Sequence, residues 1–214
     1  MIPMKSLPAW EPGEEIASAA THAIGIVFSF IATILVIVQQ VKNYNRNKTI
    51  GMAIFCASMF ILYTVSTCYH GVKQEKIKKI MRYGDHCSIY LLIAGSYAPY
   101  CLTVLADTNG TLLLIVIWSY AAIGIFLKIM WFDYVDTISL LYYIVMGWLV
   151  VSTLGTLVRN FEPAGIYYLF LAGVSYTLGT MFFARDKIAY THAIWHLFVL
   201  CGTICSFISS YVYC

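Results

Sequence analysis

Charged side chains are scarce in this chain: Asp, Glu, Lys and Arg make up 11% of 214 residues, against 61% hydrophobic residues, and the mean hydropathy is +0.79. So small a polar complement excludes an ordinary soluble domain and reads as a polytopic membrane protein. The net charge of +3 is too small to argue for nucleic acid as a partner. There is no CxxC pair and no cysteine framework: the seven cysteines, at 56, 68, 87, 101, 201, 205 and 214, fall mostly inside apolar runs and read as small hydrophobes. Cys201 and Cys205 share a helix face, which reads as packing. Met1 to Glu15 lacks a short apolar core ending in small residues, being broken by prolines and by Glu11, Glu14 and Glu15. No secretory signal is expected there, and the first apolar helix stays in the mature protein.

Long apolar runs are what the chain has in abundance. Runs of about 17 to 25 residues bounded by charge, Gly, Pro or Asn mark membrane spans. Seven are expected, at about 17–40, 49–70, 81–105, 111–130, 137–158, 166–183 and 188–213. All connectors are short, which makes sequential helices antiparallel neighbours. The predicted fold is therefore all-α, a single seven-transmembrane helix bundle over residues 1–214 with no second domain. Trp10, Trp131, Tyr134, Tyr167 and Tyr168 stand near span ends, as an interfacial aromatic belt requires. With seven spans, Lys5, Lys73, Lys76, Lys78, Lys79, Arg82, Lys128, Arg185 and Lys187 share one side and Lys42, Arg46, Lys48 and Arg159 the other, nine against four. The positive-inside rule then puts the N-terminus in the cytoplasm and the C-terminus outside the plasma membrane.

Against that apolar background, His192 and His196 stand four residues apart at the start of the last run. Side chains at i and i+4 lie one above the other on a helix, so both rings can swing onto one cation. No Glu follows His192, so this is not the HExxH metalloprotease motif. Imidazoles at membrane depth are costly, which favours a task over chance. At about 1.5 Å per residue, the pair lies roughly 7 and 13 Å beyond Lys187, within the inner leaflet. The topology brings His70, at the end of the second span, and Asp85 and His86, at the start of the third, to the same side, with His22 of the first span. Three histidines, His70, His192 and His196, can fill three corners of a tetrahedron around Zn2+ and leave the fourth for water, the pattern of a catalytic rather than a structural site. Asp85 is then the candidate to hold that water and take its proton. Ser66, one turn deeper than His70 on the same face, can donate to a developing oxyanion. The competing readings are a Ser66 back-bond to the Leu62 carbonyl and an Asp85 solvated at the helix start and paired with Arg82. His86 points about 100° away from Asp85 and, like His22, supports the site rather than ligating.

Several of these residues recur in a known pattern. Glu15-x-x-Ser18-x-x-Thr21-His22, Ser66-x-x-x-His70, Asp85-His86 followed by Ile89 to Pro99, Met146-Gly147-Trp148, and His192-Ala193-Ile194-Trp195-His196 resemble, in order and placement, the hemolysin III family. That family is the bacterial branch of the progestin and adiponectin receptor (PAQR) superfamily and is similar to the alkaline ceramidases. The resemblance covers essentially the whole chain, with one departure, Ser18 in place of the usual Asn. It implies seven helices with the N-terminus inside, zinc on His70, His192 and His196, a water near Asp85, and Glu15 among the supporting residues.

Three functions of different class fit. The first is a zinc-dependent hydrolase cutting an amide or ester bond of a membrane lipid, with Asp85 and Ser66 as catalytic groups. The second is a receptor or sensor whose zinc ties the second and seventh helices together without turnover. The third is a pore-forming haemolysin, which a chain of seven spans without an export signal fits least well. The hydrolase is the preferred expectation, with membrane lipid as its partner.

Overall fold

The computed structural model describes residues 7, 8, 10–185 and 188–214, excluding the side chain of Thr137, and the described residues form helices without strands. Helix α1 (Pro12–Lys42) starts with a proline in its first turn and Glu14 and Glu15 beside it, so the fixed φ of proline and two acids at the positive helix end set its start five residues before the apolar run. Helix α2 (Arg46–Gly71) is capped by Asn45, whose side chain accepts from the Lys48 backbone N–H at 3.0 Å. Then follow α3 (Glu75–Leu102), α4 (Gly110–Met130), α5 (Phe132–Trp148), a 3₁₀ segment (Leu149–Thr153), α6 (Leu154–Asn160), α7 (Pro163–Phe183) and α8 (Thr191–Tyr213). Lys5 and Lys187, both used in the charge asymmetry, lie outside the described residues.

Among the described residues, six helices are long and apolar enough to cross a membrane: α1, α2, α4, Ile138–Asn160 running through α5 and α6, α7 and α8. The expected third span is the exception. Helix α3 has 28 residues, enough length, but Asp85, His86 and Ser88, all buried, keep its composition polar. It tolerates them because it packs against α2, α4, α5 and α8 and turns much of its surface to protein rather than lipid. Close approach to α2 is built on two glycines: a Cβ on Gly51 would lie 2.7 Å from the Pro99 Cα, and one on Gly95 would lie 2.2 Å from the Ser58 Oγ.

The fifth expected span, one helix over 137–158, is instead a broken helix. The Tyr97 hydroxyl enters the break, with Oη 2.7 Å from the Gly147 carbonyl and 3.0 Å from the Met146 carbonyl, and it accepts from the Val150 N–H at 3.0 Å. Ser152 and Thr153 donate back to the Leu149 and Val150 carbonyls, at 2.7 and 2.8 Å, so the freed backbone groups are paired at membrane depth. The last helix begins three residues later than the apolar run because Tyr190 takes a left-handed conformation, φ 64°, just ahead of it.

The bundle turns large apolar side chains outward and buries many polar ones. Ile34, Leu112, Leu141 and Phe170 are each more than half exposed, whereas Ser18, Ser66, His70 and Thr203 are buried. A soluble domain would reverse this pattern; a lipid-facing bundle requires it. Two apolar cores fill the interior, one around Met59, Tyr63 and Val199 and one around Tyr97, Ile117 and Met146.

Candidate metal centre

One end of α2 and one end of α8 meet at His70, His192 and His196. All three are buried, and one ring nitrogen from each lies within 4.8 Å of the others. Nitrogens sharing a tetrahedral zinc at about 2.0–2.1 Å stand about 3.4 Å apart, so small ring rotations close the group. The ring centroids are 5.1 Å apart for His70 and His192, 5.0 Å for His70 and His196, and 4.6 Å for His192 and His196.

Hydrogen bonding fixes which nitrogens are available. His70 Nδ1–H donates to Glu15 Oε2 at 2.8 Å, and the other carboxylate oxygen of Glu15 takes Lys78 Nζ at 2.7 Å. His70 Nε2 is buried and makes no hydrogen bond within the protein. His196 Nδ1–H donates to the Ser18 carbonyl at 3.1 Å, with Thr21 Oγ1 at 3.3 Å, so that ring too turns its Nε2 inward. Neither nitrogen of His192 is bonded within the protein. A carboxylate or carbonyl on the far nitrogen is what orients a metal-ligating histidine and raises its basicity. Buried imidazole nitrogens without partners are otherwise costly, so the donor set fits a metal ion. The orienting group at Ser18 is its backbone carbonyl, which any residue supplies.

Asp85, ten residues into α3, is 6% exposed and lies at the same end of the bundle, with Ser66 as its neighbour across the α2–α3 contact. It is not the solvated carboxylate of a helix start, though Arg82, 3.7 Å from Asp136, is also close enough to act on the charge of Asp85. The Ser66 back-bond to the Leu62 carbonyl is not formed, and the hydroxyl stands beside Asp85 instead. His86 lies apart from the three-histidine group, its Nδ1 3.4 Å from Asp136 Oδ1, in a cluster that also holds Lys128, buried and bonded to Asp136 and Ser139. His22 lies flat on His196.

Two residues close the site from the N-terminal side, and sequence reasoning misses both. Trp10, expected in an interfacial belt, packs instead on His192 at 4.3 Å between centroids and on His70 at 5.3 Å. Glu14, 3% exposed, sets its carboxylate against the backbone N–H groups of Tyr190 and His192, at the start of α8. The signal for Glu14 is present in the sequence as a second acid beside Glu15. Trp10 gives none, because its partners His70 and His192 are far from it in the chain.

From the histidines an apolar cavity of about 190 Å³, partly open to the outside, runs between α3, α5–α6, α7 and α8, past Ile93, Trp148, Leu169 and Tyr176. His22, Asp85, His86, His192 and His196 form its polar end.

The haemolysin-III related family model matches residues 11–207, a range that holds every polar group of this site except Trp10. The chain is 39% identical over 194 residues to "Hemolysin-3" of Bacillus cereus, covering 91% of this chain and 89% of that one. It is 39% identical over 201 residues to "Hemolysin-3 homolog" of Bacillus subtilis (strain 168), covering 94% of each. A human protein, "Monocyte to macrophage differentiation factor", is 30% identical over 197 residues, covering 87% of this chain and 78% of its own, and extends the relationship into the progestin and adiponectin receptor superfamily. A chain matched along nearly its whole length by that family model, built as a bundle of apolar helices around a polar end, belongs to the haemolysin III family of multi-pass membrane proteins.

Proposed function

We propose that the protein is a zinc-dependent hydrolase that cleaves an amide or ester bond of a membrane lipid. One observation carries this reading: the three-histidine group opens onto an apolar cavity whose polar end also holds Asp85. A purely structural metal would need neither the cavity nor the carboxylate. His70, His192 and His196 would hold the ion, with Glu15 and the Ser18 carbonyl fixing two of the rings; zinc held there would supply Lewis acidity and make water easier to deprotonate. Asp85 takes the proton from the attacking water and returns it to the leaving nitrogen or oxygen, so the acyl carbon gains the water oxygen as the amide or ester bond breaks. Ser66 donates its hydroxyl proton in a hydrogen bond to the carbonyl oxygen as charge develops there. The apolar walls seat the acyl chain. In the same reading α3 completes a seventh crossing, and the Lys and Arg asymmetry places the N-terminus and the histidines on the cytoplasmic side.

The sensor reading draws support from the three histidines standing on α2 and α8, two helices that otherwise touch little. Asp85→Asn separates the two. Purified zinc-loaded protein is offered N-acyl lipids, ceramides and phospholipids sharing one acyl chain. Under the hydrolase reading the variant keeps its zinc and loses about 10²- to 10⁴-fold in turnover. Undiminished turnover removes Asp85 from the mechanism, and no turnover by the wild type across the panel favours the sensor.

A further inference from the structure

The metal reading uses three histidines and leaves His22 without a task. Its ring lies deep in α1, 3% exposed, and lines the cavity beside Asp85 and His196. It is stacked flat on His196, with centroids 3.6 Å and planes 10° apart, and Tyr63 meets it edge-on at 5.1 Å. Neither ring nitrogen makes a hydrogen bond within the protein.

A neutral imidazole has one donor and one acceptor, and burying both unpaired is costly. A phenyl ring would fill the same space, keep the stack on His196 and carry no such cost. We propose that His22 is a recognition residue: one of its ring nitrogens hydrogen-bonds a hydroxyl or secondary amide of the ligand, next to the carbonyl that an acyl lipid presents to the metal centre. The inference rests on the reading of this cavity as an acyl-lipid site. The stack sets the position. A group bonded to His22 lies about one ring thickness from whatever the inward nitrogen of His196 holds, so the two polar groups of the ligand must be neighbours. A carboxylate or phosphate fits poorly, because the ring offers a single donor and an unused lone pair.

The test needs binding, not turnover. Purified protein in nanodiscs, carrying a fluorescent acyl probe in the cavity, is titrated with N-(2-hydroxyethyl)hexadecanamide and with methyl hexadecanoate, which share a chain and differ at the head. The wild type should bind the hydroxyamide at least tenfold more tightly. His22→Phe should bind both lipids with equal, weaker affinity and keep its zinc content, and His22→Asn, which restores a donor and an acceptor, should recover part of the preference. Equal binding by the wild type, or a preference that survives in His22→Phe, overturns the role of His22. Loss of zinc in both variants also overturns it, since His22 would then be a support for His196. If the wild type binds neither lipid, the acyl-lipid reading itself fails.

Discussion

Removing the carboxylate of Glu15 is the sharpest perturbation of the candidate centre that leaves every proposed ligand in place. Its Oε2 accepts from His70 Nδ1 at 2.8 Å and so holds the ring with Nε2 turned inward. In Glu15→Ala the ring can rotate, Nδ1 loses its acceptor, and the imidazole loses the negative charge that makes it a better donor to a cation. Outer partners of metal-bound histidines typically contribute 10- to 100-fold in affinity, or about 1.4–2.7 kcal/mol. Glu15→Gln retains an acceptor without the charge, and because neutral hydrogen bonds are roughly half as strong as charge-assisted ones, about half of that loss is expected. Lys78→Met is the control, since it breaks the 2.7 Å pair on the other oxygen of Glu15 and leaves the bond to His70. Zinc competition against a chromophoric chelator, on protein in detergent with unchanged helix content, reads all three variants. The reasoning is refuted if Glu15→Ala holds zinc as tightly as the wild type, or if Lys78→Met weakens it equally.

Other outcomes follow from the same structure. Tyr97→Phe takes a donor from the Gly147 carbonyl and an acceptor from the Val150 N–H, while the Met146 carbonyl keeps the Leu149 N–H, so a loss of about 1–3 kcal/mol is expected, with faster hydrogen exchange at 146–153; an unchanged melting temperature and exchange pattern would contradict this. Lys128→Met removes the cation that pairs with Asp136 inside the bundle, and because Asp136 is one-third exposed and keeps Arg82 nearby, the expected cost is below the 3–5 kcal/mol of a fully buried pair, about 1–3 kcal/mol. For topology, an impermeant maleimide should label Tyr44→Cys in intact cells and Gln74→Cys only after permeabilisation; the reverse pattern inverts the orientation. Native Cys214 is a poor reporter, because burial pushes its thiol up to about 11, leaving its thiolate some hundredfold scarcer than an ordinary cysteine's near neutral pH.

The sequence makes the helices legible through run length and the histidine pair through its i, i+4 spacing. His70 becomes legible once short connectors force antiparallel neighbours. Other features are hidden for physical reasons. The break in the fifth span depends on a hydroxyl from Tyr97, some 50 residues earlier, and a local reading of 137–158 shows only apolar helix. Helix α3 reads as an apolar run only over 81–105; its polar start at Glu75 and the neighbours on several sides that offset its buried Asp85 and His86 are not registered by composition. Position 18 acts through its carbonyl, so its side chain carries no signal. Trp10 is ambiguous in principle, since a tryptophan near a span end serves equally well in an interfacial belt or over a buried histidine.

The central claim is that His70, His192 and His196 hold one zinc ion with a position left open. Zinc-edge X-ray absorption on protein purified without chelators tests it most directly. The account predicts one zinc per chain, a first shell of three imidazole nitrogens and one further light atom at about 2.0–2.1 Å, and loss of most of the metal in His192→Ala or His196→Ala. A shell containing sulfur, or full metal content in both variants, would contradict it.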